Sequence, residues 1–308
     1  MTAVTETQEV QLKLPARPES VAVVRHALAG IGDTLAVEPT VMSDMKTAVT
    51  EACNNVVVHA YPEAEGTLEV NARPSEERLT VTVRDHGSGM QPRTSAPEES
   101  SLGLGLPLIA ALSDRFEIQG GTGLGIAVTM IFGLIEKASD PAEESDETRH
   151  STEVPLETTP EMPPPDSPGD SAPQPDVTIR SAGLSITPGP MVAPVLARVT
   201  AMLAARADFS LDRLSDAVLV SDAVSAHVEA FISGSNVDVS MSDGGGTLDM
   251  RVGPLVNGGA NQLLATMTVP GLERSLENLT DEVKIEKPAG GDEPEDGEEY
   301  LLLTIARM

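Results

Sequence analysis

Residues 136–176, EKASDPAEESDETRHSTEVPLETTPEMPPPDSPGDSAPQPD, cannot build a core of their own. Pro, Glu, Asp, Ser and Thr dominate the stretch, and its apolar side chains are too few to offset the entropy of ordering it. It reads as an acidic, semi-extended linker. Whatever folds here must fold from the two blocks it separates, 8–135 and 177–308, and each is about the length of an ordinary domain. A second acidic insert, PAGGDEPEDGEE at 288–299, reads as a mobile hairpin loop.

The first block has clear periodicity. VQLKLPA alternates as a strand does, Ser20 to Gly30 has helical spacing, and Pro39 to Ala60 predicts a longer helix. TLEVNARP and RLTVTVRD alternate again, LGLPLIAALSD is helical, and DRFEIQG and GIAVTMIF are strands. This order predicts an α+β two-layer sandwich, a mostly antiparallel sheet with helices on one face. The second block repeats it. TLDMRV resembles LTVTVR, GLERSLENLTDEVKIE resembles GLPLIAALSDRFEIQ, and LSDAVLVSDAVSAHV resembles MKTAVTEACNNVVVH. Two copies at so long a period predict a duplicated domain, not a solenoid.

Charge narrows the partners. The net charge of −28 divides as −8 before the linker, −10 within it and −10 after it. Nucleic acid and anionic membranes would be repelled. No apolar run reaches the roughly 20 residues that span a bilayer. The first residues, MTAVTETQEV, have neither a basic nor an apolar signal region, and the lone Cys53 suits a reducing compartment. A cytoplasmic location is expected. The single Cys53 reads as a small buried hydrophobe.

Three stretches of the first block carry chemistry. In EACNNVVVHAY (51–61), Glu51, Asn55 and His59 recur every four residues, along one stripe of a helix. In RDHGSGM a strand ends at Asp85 and opens into His86, Gly87, Ser88 and Gly89; in SLGLGLPLI, Gly103 and Gly105 precede a helix. A helix carboxamide can offer its oxygen to Mg2+, which takes few protein ligands. Glu51, one turn away, can accept a proton. A carboxylate at a strand end can accept from an exocyclic amine. Glycines at Gly87 and Gly89 let the backbone approach a flat ring, and those at Gly103 and Gly105 free amides for phosphate at a helix start.

The order ExxxN, DHGSG, short loop, GLGLPL closely resembles the GHKL (Bergerat-type) ATPase superfamily. The brief lid between Gly89 and Gly103 resembles the bacterial anti-sigma-factor serine kinases within it. The resemblance covers about residues 8–133. It implies ATP and Mg2+ between helices and sheet, Asn55 as metal ligand and Glu51 as general base. It implies that Asp85 reads adenine, with Gly87 and Gly89 lining the base and Met90 beside them. Gly103, Leu104 and Gly105 would hold phosphate, and Thr122 would stand near adenine, because Ile126 takes the place where such domains usually have threonine. It further implies two partners, a sigma factor and a STAS-domain anti-anti-sigma protein phosphorylated on serine; a homodimer is compatible with it. Asn54 competes with Asn55 for the metal, and Asn55 is favoured because it lies a full turn from Glu51. For His59 a structural hydrogen bond is favoured over ligand contact, and for Arg25 and Arg93 a solvated face.

The second block lacks these pieces. Ala226 falls where Asn55 would be and Asp222 where Glu51 would be; Pro254 falls on Asp85, and no glycine pair precedes GLERSLENL. A degenerate, non-binding copy is expected. Two other functions remain: an ATP-gated binding switch without catalysis, and a histidine-kinase-type catalytic domain. The short lid and the missing dimerisation helix argue against the latter.

Overall fold

Strand β1 (Val10–Pro15) turns Val10, Leu12 and Leu14 inward and Gln11 and Lys13 outward. The computed structural model describes residues 8–62, 65–87, 102–120, 125–134, 181–267, 276, 279–287 and 298–307. After β1 come helices α1 (Pro18–Thr34) and α2 (Pro39–Asn55), each started by a proline in its first turn, where no amide partner is lost. Strands β2 (Thr67–Pro74) and β3 (Arg78–Arg84), helix α3 (Leu102–Leu112) and strands β4 (Arg115–Gly120) and β5 (Ile126–Gly133) complete the first half. The second half holds β6 (Ala182–Ile186), α4 (Val192–Arg206), α5 (Leu211–His227), β7 (Val237–Gly244), β8 (Thr247–Leu255), α6 (Gly259–Thr266), β9 (Glu282–Glu286) and β10 (Glu299–Ala306).

The ten strands of the described residues form one sheet, in the order β4-β5-β3-β2-β1-β6-β7-β8-β10-β9. Every neighbouring pair is antiparallel. Read outward from the β1–β6 seam, the order is the same on both sides. One row of aliphatic side chains crosses the whole sheet. From the seam it runs Leu12, Val70, Val83, Val128, Ile118 on one side. On the other it runs Leu184, Val239, Val252, Leu301, Ile285. Helix residues from α1, α2, α4 and α5 close over this face in a single core. The opposite face carries Lys13, Asn71, Arg73, Thr82, Arg84, Ser185 and Ser240.

The helical layer is continuous across the seam too. Gly30 of α1 lies against α4 so closely that a Cβ there would stand 2.6 Å from the Pro194 carbonyl oxygen and 2.7 Å from the Val195 Cα. Arg198 of α4 donates to the Asp33 carboxylate at 2.6 Å beside that contact. The residues before 137 and after 177 therefore make one compact unit.

Three expectations change. The helix expected through Ala60 is α-helical only to Asn55, and Val56–Ala60 continues it as a π-helical turn, a form found often at functional sites. Gly103 and Gly105 do not precede the third helix but lie inside its first turn, because α3 begins at Leu102. Helix α6 was not anticipated; most of the GLERSLENL stretch expected to be helical, and residues 288–297 of the 288–299 insert, lie outside the described residues, whereas Glu299 of that insert is no loop residue but the buried start of β10. Among the described residues no helix is long and apolar enough to cross a membrane.

Candidate functional site

The C-terminal end of α2, with the π turn that continues it, meets the turn after β3 and the first turn of α3. Its inward residues Met45, Ala48, Val49, Ala52 and Cys53 are buried against the sheet. Helical period then leaves Glu51 and Asn55 half-buried at the edge of that packing, while Asn54 and His59 are exposed. Asn55, not Asn54, thus shares a face with Glu51. His59 sits on the π turn with its side chain exposed.

Glu51 is met by the first turn of α3. A Cβ at Gly105 would come 2.6 Å from Glu51 Oε1 and 3.3 Å from its carboxyl carbon. A methyl group here would push the Glu51 carboxylate aside, so it is contact with a side chain, not an unusual backbone angle, that gives the glycine its part.

Asp85 follows the end of β3 and is buried, 3% exposed. Its amide donates to the Ile126 carbonyl at 2.9 Å, which ties it to β5. Its Oδ1 accepts from the Gly87 amide at 2.8 Å, closing a turn of the Asx type. Between these, the His86 amide donates to the Tyr61 hydroxyl at 2.8 Å, and that hydroxyl donates to the Thr67 carbonyl at 2.9 Å. Three successive amides thus have three separate acceptors. The His86 imidazole turns outward to Glu69, Nε2 to Oε2 3.0 Å.

Glycines pack the surroundings. A Cβ at Gly87 would lie 2.1 Å from the Ala60 carbonyl oxygen at the end of the π turn. Gly125, with φ +70°, would meet the Asp85 carbonyl oxygen at 2.2 Å. Together these contacts join the helix carrying Glu51 and Asn55 to the turn carrying Asp85.

Residues 14–132 match the family described as the histidine kinase-like ATPase domain. The serine-protein kinase RsbW of Bacillus velezensis is 33% identical over 138 residues, which are 41% of this chain and 86% of the relative. RsbW of Bacillus mycoides is 32% identical over 137 residues, 40% of this chain and 84% of that one. RsbW of Bacillus subtilis is 32% identical over 133 residues, 39% and 83% respectively. The chain belongs to the histidine kinase-like ATPase family.

The expected family residues fall unevenly. Glu51, Asn55, Asp85, Gly87 and Gly105 are brought to the same end of the first half, and Gly103 and Leu104 lie in the same helical turn as Gly105. Gly89, Met90 and Thr122 lie outside the described residues. Ala60, Tyr61 and Gly125 were missed. Their signals are a backbone carbonyl, a hydroxyl relay and a positive φ, none of which residue type announces.

The donor set suits Mg2+·ATP. A buried carboxylate with one oxygen committed to Gly87 keeps a second for an amine. Gly87 and Gly105, lacking a Cβ, let the Ala60 carbonyl and the Glu51 carboxylate pack close and so hold the helix beside the turn. Among the described residues no cluster of three or more His, Cys, Asp or Glu exists to cage a metal. A cation here would take only one or two protein oxygens and complete its shell with phosphate and water, as Mg2+ does.

The corresponding place in the second half differs residue by residue. Two positions beyond Val83 is Asp85; two beyond Val252 is Pro254, which has neither carboxylate nor amide proton. Two before Val128 is Ile126; two before Leu301, across a register shift that sets it opposite Leu255, is Glu299, buried to 2%. Its Oε2 accepts from the Ala260 amide at the start of α6 at 3.3 Å, and its Oε1 lies 3.6 Å from Lys287 Nζ. Burial pushes the carboxyl of Asp222, on α5, above its ordinary range.

Proposed function

We propose that this chain is an ATP-dependent serine-protein kinase and anti-sigma factor whose single nucleotide site lies in the first half. The observation that carries the reading is the junction of three elements: the Glu51–Asn55 face of α2, the buried Asp85 carboxylate, and Gly105 with no space for a side chain beside Glu51. Similarity to the RsbW serine-protein kinases supports it.

In this reading residues 8–135 form the nucleotide-binding domain, 136–176 the linker and 177–308 a degenerate copy without nucleotide. Bound Mg2+·ATP supplies the transferable phosphoryl group and offsets its charge. Asn55 holds the cation through its amide oxygen. Asp85 Oδ2 accepts from the adenine amine, and the first turn of α3 offers amides to phosphate. Glu51 takes the proton of the attacking serine hydroxyl, which a STAS-domain partner provides, while a sigma factor is the second partner. Positioning and charge supply the rate enhancement, so the protein needs little further machinery. With such partners the chain would work in the cytoplasm.

Incubating the full chain with labelled ATP, Mg2+ and candidate STAS proteins tests this. Transfer of label to serine, lost in Glu51→Gln, is expected. Nucleotide binding without any transfer would instead make the chain an ATP-gated switch, and no heat of binding with ATP and Mg2+ would end both readings.

A further inference from the structure

We propose that Tyr61 is a positioning residue for Asp85 and, through it, sets the selectivity for adenine; this rests on the nucleotide reading above. Asp85 can read a base amine only if its free oxygen points into the site. Its carboxylate is oriented by the Gly87 amide, and the peptide between them, that of His86, is held by the Tyr61 hydroxyl. The hydroxyl uses its one proton on the Thr67 carbonyl, so its lone pairs face His86 by necessity. The ring cannot drift. It lies flat on Gly66, where a Cβ would come 2.2 Å from three ring carbons.

Tyr61 also ends the π turn that follows Asn55, directly after Ala60, whose carbonyl abuts Gly87. One side chain therefore fixes the distance between the helix that carries Glu51 and Asn55 and the turn that carries Asp85. Removing the hydroxyl leaves the His86 amide without its acceptor and lets the Asp85–Gly87 turn rotate. A carboxylate so released no longer selects for a donor at one place.

The test compares ATP with purine riboside triphosphate, which lacks the exocyclic amine, by calorimetry in Mg2+ on the full chain. The unaltered protein should favour ATP by about tenfold or more, as for a hydrogen bond to a charged acceptor. Tyr61→Phe, which keeps the ring on Gly66, should bring that ratio close to one. Asp85→Asn should also collapse it, and adding Tyr61→Phe should then change the ratio no further. A purely structural tyrosine would lower the melting temperature and weaken both nucleotides alike. An unchanged ratio in Tyr61→Phe, or a further drop in the double variant, overturns the proposal while leaving the nucleotide site intact. Failure of the unaltered chain to bind ATP overturns the underlying reading with it.

Discussion

Glu51 Oε1 and the Cα of Gly105 face each other with no space between them for a methyl group, since a Cβ at Gly105 would stand 2.6 Å from that oxygen. The contact joins α2 to the first turn of α3 and sets where the carboxylate points. Gly105→Ala should displace Glu51 and lower phosphoryl transfer by at least tenfold, as misplacing a catalytic group does. Glu51→Gln should abolish transfer and spare nucleotide affinity, whereas Asn55→Ala should weaken both. Phosphotransfer assays beside calorimetry separate the three; full activity in Glu51→Gln would refute its role as base.

Gly87 offers a harsher case. Its clash at 2.1 Å is with the Ala60 backbone oxygen, which cannot swing aside as a side chain can. Gly87→Ala should cost about 1–3 kcal/mol, the usual range for overpacking. A lowered melting temperature should accompany lost ATP affinity.

Nucleotide stoichiometry should be one per chain. Past Val252 the second half has Gly253, Pro254 and Leu255 with no carboxylate, and across a register shift Leu255 stands opposite the buried Glu299. Titration of the full chain that saturates at two nucleotides would show that the second half retains a site.

The seam between α1 and α4 should be sensitive at Gly30, where any Cβ meets Pro194 and Val195 backbone atoms. Gly30→Leu should destabilise the whole unit by about 1–3 kcal/mol or more. Because β1 and β6 belong to one sheet, denaturant unfolding followed through both halves should stay a single transition.

Cys53 is fully buried, and loss of hydration pushes its thiol up to about 12. The neutral thiol is the inert form. At pH 8 a disulfide reagent should modify it only as fast as the protein opens, and rapidly once denaturant is added. Rapid labelling of the native chain would contradict the packing of α2 on the sheet.

Much of this molecule was legible in one dimension. Alternation in VQLKLP, TLEVNARP and RLTVTVR gave strands because a pleated chain buries every second side chain, and the spacing of Glu51 and Asn55 gave one helical face. The glycine-rich turns and the order of motifs carried the family. Contacts between distant segments were not legible, because they depend on which surfaces meet. Nothing in the residue types at Tyr61 and His86, or at Gly30 and Pro194, reveals that they touch across 25 and 164 positions of chain. Two blocks separated by an acidic linker became one sheet because two open strand edges, β1 and β6, satisfy each other's amides and carbonyls when they pair. Residue pattern chose the elements; close packing and backbone hydrogen bonding chose their neighbours.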